Sequence, residues 1–246
     1  MKKNTLRILA VMVLLGATAF AGSITINNPN FAAVSANGCG SGYVSQYDSG
    51  STSCTQSPTP NQNLNGVTGI GWTFSDSSAW TPSNGVGSGL TVPNSPFNPP
   101  SFAGLPQGTQ AAFLQGQNSS VSQQLSGFTT GQSYNLSFYL GSRYNNGDAF
   151  NGNQTVEALI FNTLTDTVAG SKSWTLTSST PFTLENLSFT ANGTNETLEF
   201  VGQTYGDHTA FLTAASITAT PEPVTLVLFG SGLVGIGGMM RRRLIG

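Results

Sequence analysis

The chain is short of charged residues, and most of its basic residues stand at its two ends. Only 7% of the 246 residues are charged. Nine acidic and two basic residues lie between positions 23 and 220, so this middle region has a net charge of −7. Nucleic acids and anionic lipid headgroups both require a basic surface. We therefore expect the middle region to bind no nucleic acid.

Histidine is almost absent, and the motifs of common enzymes are missing. The single histidine, His208, follows Asp207, and no G-x-S-x-G, H-E-x-x-H or phosphate-binding loop occurs. Adjacent residues of an extended strand point to opposite faces, so Asp207 is poorly placed to orient His208. We expect no catalytic and no metal-binding residues. The acidic residues still leave open a pair of carboxylates of the kind that hydrolyses polysaccharides.

The N-terminus has the pattern of a segment that directs export. A basic start and an apolar run precede Ala19-Phe20-Ala21, a small-x-small cleavage pattern. These features predict a secretory signal peptide, with a signal helix, over residues 1–21. Exported chains meet an oxidising compartment, where paired cysteines normally form disulfides. The only two cysteines, Cys39 and Cys54, are accordingly predicted to be bonded to each other.

Short segments of alternating apolar and polar residues recur between residues 22 and 219, separated by Gly, Asn or Pro. The clearest is "SYNLSFYLGSR", in which one face of an extended strand would carry Tyr134, Leu136, Phe138 and Leu140. About nine or ten such segments predict an all-β domain, an antiparallel jelly-roll β-sandwich. Residues 28–107 are rich in Gly, Pro and Ser and predict long surface loops, with a strand only near Trp72.

Side chains suited to sugars gather after the clearest strand. The loop "YNNGDAFNGN" supplies amides and a carboxylate, which can bond sugar hydroxyls in several directions. Aromatic rings stack on the apolar faces of sugars, and a guanidinium can bond hydroxyls or a uronate. The candidate glycan-binding residues are Arg143, Tyr144, Asn145, Asp148, Tyr205 and Asp207. A plain Asn/Gly turn also explains the loop, and Trp72 fits a core position better than a sugar platform.

Several anchor segments occur in the order found in a known family. "NPNFAAV", "GWTF", "SYNLSFYLGSR" and "GDHTAFLTAASIT" resemble the galactose-binding-like jelly-roll sandwiches of exported carbohydrate-binding modules, over about residues 23–219. The resemblance implies binding of extracellular polysaccharide. Family members commonly hold a structural calcium with acids after the first Asn-x-x-Phe and in the last strand. Here Ala32 follows Phe31 and Leu212–Ile217 has no acid, so we expect no cofactor, and calcium remains an open alternative.

The C-terminal segment contains an apolar run that is followed by three arginines. Residues 224–240 are 17 positions without a charge, which at ~1.5 Å per residue would span about 26 Å of a ~30 Å hydrocarbon core. This predicts a single transmembrane helix over 224–240. The positive-inside rule would keep Arg241, Arg242 and Arg243 in the cytoplasm.

The same segment resembles a sorting signal. Pro221-Glu222-Pro223, the apolar run and Arg241-Arg242-Arg243 stand in the order of the PEP-CTERM signal, here over residues 220–246. The resemblance implies processing by an exosortase and passage from the inner membrane to the cell surface or extracellular matrix of a Gram-negative bacterium. It also implies a role in exopolysaccharide or biofilm. We therefore expect an exported glycan-binding or structural protein; the alternatives are a polysaccharide hydrolase and an adhesin with no defined ligand.

Overall fold

The structure, a computed structural model, describes residues 23–31, 43–45, 71–75, 87–91, 111–143, 152–206 and 208–220. The predicted signal helix, Cys39 and Cys54, and the tail from Pro221 onward lie outside these residues. Every regular element within these residues is a β-strand. The described residues form no helix that is long and apolar enough to cross a membrane. Residues Ser23–Ala219 form one compact unit.

Twelve strands occur within the described residues, and all their pairings are antiparallel. In chain order they are β1 (Ser23–Ile24), β2 (Tyr43–Ser45), β3 (Thr73–Ser75), β4 (Gly87–Thr91), β5 (Ala112–Gln115), β6 (Ser120–Ser126), β7 (Ser133–Ser142), β8 (Gln154–Asn162), β9 (Val168–Leu176), β10 (Thr183–Thr190), β11 (Asn195–Gly202) and β12 (Thr209–Ala219). The predicted antiparallel all-β architecture is confirmed.

The strands form two sheets. The seven-stranded sheet has the order β10-β7-β12-β5-β4-β2, with β1 also paired to β12, and the five-stranded sheet has the order β3-β6-β11-β8-β9. The last eight strands are divided as β5-β12-β7-β10 and β6-β11-β8-β9. This is the connectivity of a jelly roll, in which successive strands mostly cross from one sheet to the other.

The core lies between the two sheets. Alternate residues of β7, from Tyr134 to Leu140, are buried, as the alternation of the sequence predicts. The ring of Phe138 meets that of Phe200 on the opposite sheet edge-to-face, with 4.8 Å between centroids. Burying a side chain of this size stabilises the fold by about 1.5–3 kcal/mol.

Trp72 belongs to this core. Its side chain is buried, its ring lies 4.8 Å from that of Phe31, and its Nε1–H donates to the carbonyl of Asn28 at 3.0 Å. The Gln123 amide bonds both backbone groups of Asn27, at 2.8 and 3.0 Å, which ties the first segment to β6. The core interpretation of Trp72 is confirmed, and its ring is not available to stack on a sugar.

The expectation of long surface loops over residues 28–107, with a strand only near Trp72, was wrong in part. β2 and β4 both lie in this region and extend the seven-stranded sheet. β4 pairs with β5, placing Gly89 opposite Phe113. A Gly- and Ser-rich segment has little strand propensity of its own. Its conformation is decided by the apolar partner strand, which supplies the backbone hydrogen bonds.

Candidate functional site

The candidate site is the end of the sandwich where β7 and β11 stop and β8 and β12 start. Strand register brings these ends together, because Ser142 lies opposite Ala210 and Gly202 opposite Val156. We name this end the rim and define it by Arg143, Gly152, Gln203–Gly206 and His208.

Tight turns support the rim from beneath. Gly116 and Asn118, between β5 and β6, have positive φ values of 78° and 65°. Asn118 donates its backbone N–H to Gly202 O at 2.7 Å, and Gly202 donates to Ser119 O at 2.8 Å. A Cβ at Gly202 would overlap Gly116 O, so only glycine permits this approach of β11 to the turn.

Three hydrogen bonds fix the position of His208. Its Nδ1 accepts the backbone N–H of Gly152 at 2.8 Å. Its carbonyl oxygen accepts from Gly116 N at 3.1 Å and from the Gln154 amide at 2.7 Å. Because Nδ1 accepts this hydrogen bond, Nε2 is the ring nitrogen that remains to donate. The half-buried ring therefore offers Nε2–H as a donor at the rim.

The backbone of Arg143 is fixed between two neighbouring segments. Its N–H donates to Thr209 O at 3.0 Å, and its carbonyl accepts from Ser179 N at 2.8 Å. The adjacent Ser142 hydroxyl donates to Thr177 O at 2.6 Å and accepts the Thr180 N–H at 2.8 Å. The side chain of Arg143, a half-buried residue, thus starts from a fixed backbone position at the end of β7.

Tyr205 is the exposed aromatic residue of the rim, with 72% of its surface accessible. The preceding residues are anchored to β8, because Thr155 N donates to Thr204 Oγ1 and Gln203 N donates to Thr155 O, both at 2.8 Å. Gly206, at a φ of 98°, then reverses the chain toward His208. An exposed ring on an anchored backbone can stack on a flat apolar surface.

Two candidate residues, Arg143 and Tyr205, are therefore brought to the same end of the sandwich. The other four, Tyr144, Asn145, Asp148 and Asp207, lie outside the described residues. Sequence reasoning left His208 out of the candidate set. Its position depends on a contact with Gly152, 56 positions earlier, and only its closeness to Tyr205 in the chain could have suggested it.

Below the rim, two buried side chains carry oxygens that have no hydrogen-bond partner among the residues that the structure describes. These are Oε1 of Gln154, which is fully buried, and Oγ1 of Thr209, which is 2% exposed. Buried polar atoms are normally bonded, so such atoms indicate a polar environment that can take up water. No group of three or more His, Cys, Asp or Glu side chains comes together within the described residues to hold a metal ion.

Two glutamates lie on the outer face of the five-stranded sheet. Glu157 in β8 is opposite Val201, and Glu199 in β11 is opposite Leu159, so the two carboxylates are diagonal neighbours on adjacent strands. Glu157 Oε2 accepts a hydrogen bond from the Gln203 amide at 2.9 Å, which connects this face to the rim.

No protein-family model and no curated protein matches the sequence. Among solved structures, the apo form of a cyclase from Fischerella sp. matches with a TM-score of 0.54 and 18% identity, over 82% of this chain and 98% of that chain. A cyclase from Fischerella sp. TAU in complex with 4-(1H-indol-3-yl)butan-2-one matches with a TM-score of 0.53 and 17% identity, over 82% and 100%.

A carbohydrate-binding module in complex with β-1,4-galactotriose also matches, with a TM-score of 0.37 and 12% identity, over 61% of this chain and 88% of that chain. The two cyclases show that this chain has the same class of fold, an antiparallel β-sandwich. Solved structures with identities this low show the fold and do not show an activity. The carbohydrate-binding module, with a TM-score of 0.37, supports no conclusion about this chain.

Proposed function

We propose that the chain is an exported protein that binds a glycan at the rim. The observation that carries this proposal is the meeting of Arg143, Tyr205 and His208 at one end of the sandwich, on backbone held by hydrogen bonds. A preformed site loses little conformational entropy when a ligand docks. The Tyr205 ring would stack on a sugar face, while Arg143 and His208 Nε2–H would donate to hydroxyl oxygens.

The favoured ligand is a neutral polysaccharide. The region between residues 23 and 220 has a net charge of −7, which repels polyanions, and Arg143 is the single cationic residue of the rim as defined. The other polar side chains among the rim residues are uncharged, such as the exposed Gln203 and the half-buried Thr204. Hydroxyl-rich, uncharged chains suit this composition best.

The place of action is proposed from the two ends of the sequence. The predicted signal peptide 1–21 and the PEP-CTERM-like tail 220–246 support export, a transient inner-membrane intermediate anchored by residues 224–240, and processing by an exosortase. The protein would then reach the cell surface or the extracellular matrix of a Gram-negative bacterium. There it would bind exopolysaccharide of the biofilm. A structural adhesin without a glycan ligand is the competing role.

A glycan array tests the binding proposal. The purified chain, fluorescently labelled, is applied to neutral and acidic glycans and to exopolysaccharide isolated from the producing cells. We expect retention on neutral polysaccharides. Absence of binding to every glycan, including that exopolysaccharide, would reject the rim as a glycan site and leave the adhesin role.

A second candidate function, hydrolysis of polysaccharide, is favoured by the diagonal pair Glu157 and Glu199. Diagonal neighbours on adjacent strands are about 7–8 Å apart at Cα. Two glutamate side chains at this Cα spacing can place their carboxyl groups about 6.5–9.5 Å apart, the separation that suits glycoside hydrolysis with inversion. Release of reducing ends from bound glycans, lost in Glu157→Gln and in Glu199→Gln, would establish the hydrolase. We expect binding without release of reducing ends.

A further inference from the structure

The imidazole ring of His208 lies between two glycine residues of the rim. A Cβ on Gly152 would overlap the ring, and a Cβ on Gly206 would be 3.5 Å from Nε2 and 3.6 Å from Cδ2. The ring therefore packs closely on the residues just before β8, and its other edge lies beside the segment that carries Tyr205. Any displacement of this ring changes its contacts with both segments.

The contact between His208 and Gly152 depends on a lone pair of the ring. Nδ1 accepts the backbone N–H of Gly152 at 2.8 Å. A neutral imidazole has one donor and one acceptor nitrogen, whereas a protonated imidazole donates at both nitrogens and accepts at neither. After protonation, an N–H on Nδ1 would point at the N–H of Gly152. Because two donors cannot bond each other, this hydrogen bond requires the neutral ring.

The backbone couples this ring to the exposed Tyr205. The N–H of His208 donates to Gly206 O at 2.9 Å, a hydrogen bond that spans two positions of the chain. Tyr205 directly precedes Gly206, and the hydroxyl of Thr204 before it accepts from Thr155 N. Tyr205 thus lies between an anchor on β8 and a short connection to His208. A displaced ring disturbs this connection and also removes the Nε2–H donor from the rim.

Few other titratable groups surround the ring. Within the described residues, the charged or titratable side chains of the rim and of the elements packed on it are Arg143, Tyr205 and Glu157, the last through its hydrogen bond with Gln203. Residues 116–119 and 152–153 add none, and Asp148 and Asp207 lie outside the described residues. Carboxyl groups ordinarily titrate near about pH 4, and tyrosine and arginine at about pH 10 or above. Histidine is the side chain that ordinarily titrates between about pH 5 and 8, and His208 is the single histidine of the sequence.

We propose that protonation of His208 switches off glycan binding at the rim, so that the protein holds its glycan near neutral pH and releases it in mild acid. This inference rests on the proposed function of the rim. The neutral ring keeps its contact with Gly152, and this contact is lost as the pH falls through the range in which the ring takes up a proton. Protonation and binding then oppose each other, so glycan that binds at mildly acidic pH displaces protons from the protein.

Nuclear magnetic resonance of the full chain between pH 8 and pH 5 tests the switch without a glycan. The ring signals are assigned directly, because the chain has one histidine. The amide signal of Gly152 reports the contact, since this N–H is the donor to Nδ1. We expect the amide signal of Gly152 to change together with the ring signals of His208 as the pH falls. An amide signal that stays constant while the ring takes up its proton overturns the proposal.

Isothermal titration with a neutral polysaccharide retained on the array tests the effect on binding. The affinity of the wild type should fall about tenfold between pH 8 and pH 5, the change expected for one lost hydrogen bond. His208→Asn can place an amide oxygen near the position of Nδ1 and cannot be protonated. This variant should bind more weakly than the wild type but equally at the two pH values. Gln124→His, at an exposed position of β6 outside the rim, should keep the pH profile of the wild type.

Two results of the titration overturn the proposal: a wild-type affinity that is equal at pH 8 and pH 5, or the same loss of affinity in acid in a folded His208→Asn variant. Circular dichroism establishes that each variant is folded at both pH values. Absence of binding at pH 8 as well as at pH 5 rejects the proposed function itself. Equal binding at the two pH values rejects only its regulation by His208.

Discussion

The imidazole of His208 fills the space that a side chain at position 152 would need. Gly152 donates its backbone N–H to His208 Nδ1 at 2.8 Å, and a Cβ on Gly152 would overlap the ring. This hydrogen bond therefore links the residues just before β8 to the residues just before β12. The absence of a side chain at position 152 makes this contact sterically feasible.

Gly152→Ala should destabilise the fold by about 1–3 kcal/mol, because the added methyl group forces the His208 ring out of its site. Urea unfolding followed by tryptophan fluorescence measures the change. The double variant Gly152→Ala/His208→Ala should lose less than the sum of the single variants, since removing the ring removes the clash. Strictly additive losses would contradict a direct contact.

Tyr205→Ala should weaken glycan binding about tenfold, because a stacked aromatic ring contributes roughly 1 kcal/mol or more. The free energy of unfolding should change little, since the side chain is 72% exposed. Isothermal titration with a glycan found on the array measures the affinity. Leu164→Ala is the matched control, an exposed side chain at the opposite end of the sandwich. Equal losses in both variants would argue against a site at the rim.

The buried side chain of Glu196 stabilises the turn between β10 and β11 by hydrogen bonds. Its side chain is fully buried, and its Oε1 accepts the backbone N–H groups of Asn192 and Gly193 at 2.7 and 2.8 Å. Glu196→Ala leaves both donors without this acceptor and should cost about 1–3 kcal/mol in unfolding free energy. Glu196→Gln retains an oxygen acceptor and should cost less. Equal stability of the alanine variant and the wild type in urea would refute this role.

Trp72→Ala should destabilise the fold by about 3–5 kcal/mol, because it removes a large buried ring that packs on Phe31. Trp72→Phe retains much of the packing but loses the hydrogen bond to Asn28 O, so a loss of roughly 1 kcal/mol is expected in addition to any packing defect. Thermal unfolding of the two variants checks the order. A smaller loss for the alanine variant than for the phenylalanine variant would be inconsistent with a core position.

The sorting proposal predicts the C-terminus of the mature protein. Mass spectrometry of protein recovered from the cell surface should find chains that end near Pro221-Glu222-Pro223 and lack Arg241–Arg243. Replacement of the triplet by alanines should leave the tail attached to the chain in the membrane fraction. An intact Gly246 on the surface protein of the wild type would contradict processing.

The elements that sequence reasoning predicted correctly are those whose signal is local. Alternation along β7 is enough to assign Tyr134 and Leu140 to one buried face, because side chains of a strand alternate strictly. β4 was missed because its Gly- and Ser-rich residues do not favour strands, and β2 because its three residues are too few to show an alternation. β4 adopts its conformation through pairing with β5, more than twenty positions later in the chain.

The candidate site was likewise predictable from local sequence only in part. Arg143 and Tyr205 could be selected from their chemistry and from their places at the ends of predicted strands. Their arrival at one rim depends on the pairing of β12 with β7 and of β11 with β8. The contact between His208 and Gly152 depends on the same pairings, and no pattern within either segment predicts it.

Sequence alone was sufficient for the class of fold and for the net negative charge of the middle region, because alternation and charge are properties of the residues themselves. The order of strands in the two sheets and the rim were decided only in the tertiary structure. Strand order arises from hydrogen bonds between segments far apart in the chain, and many orders are compatible with the same local alternation.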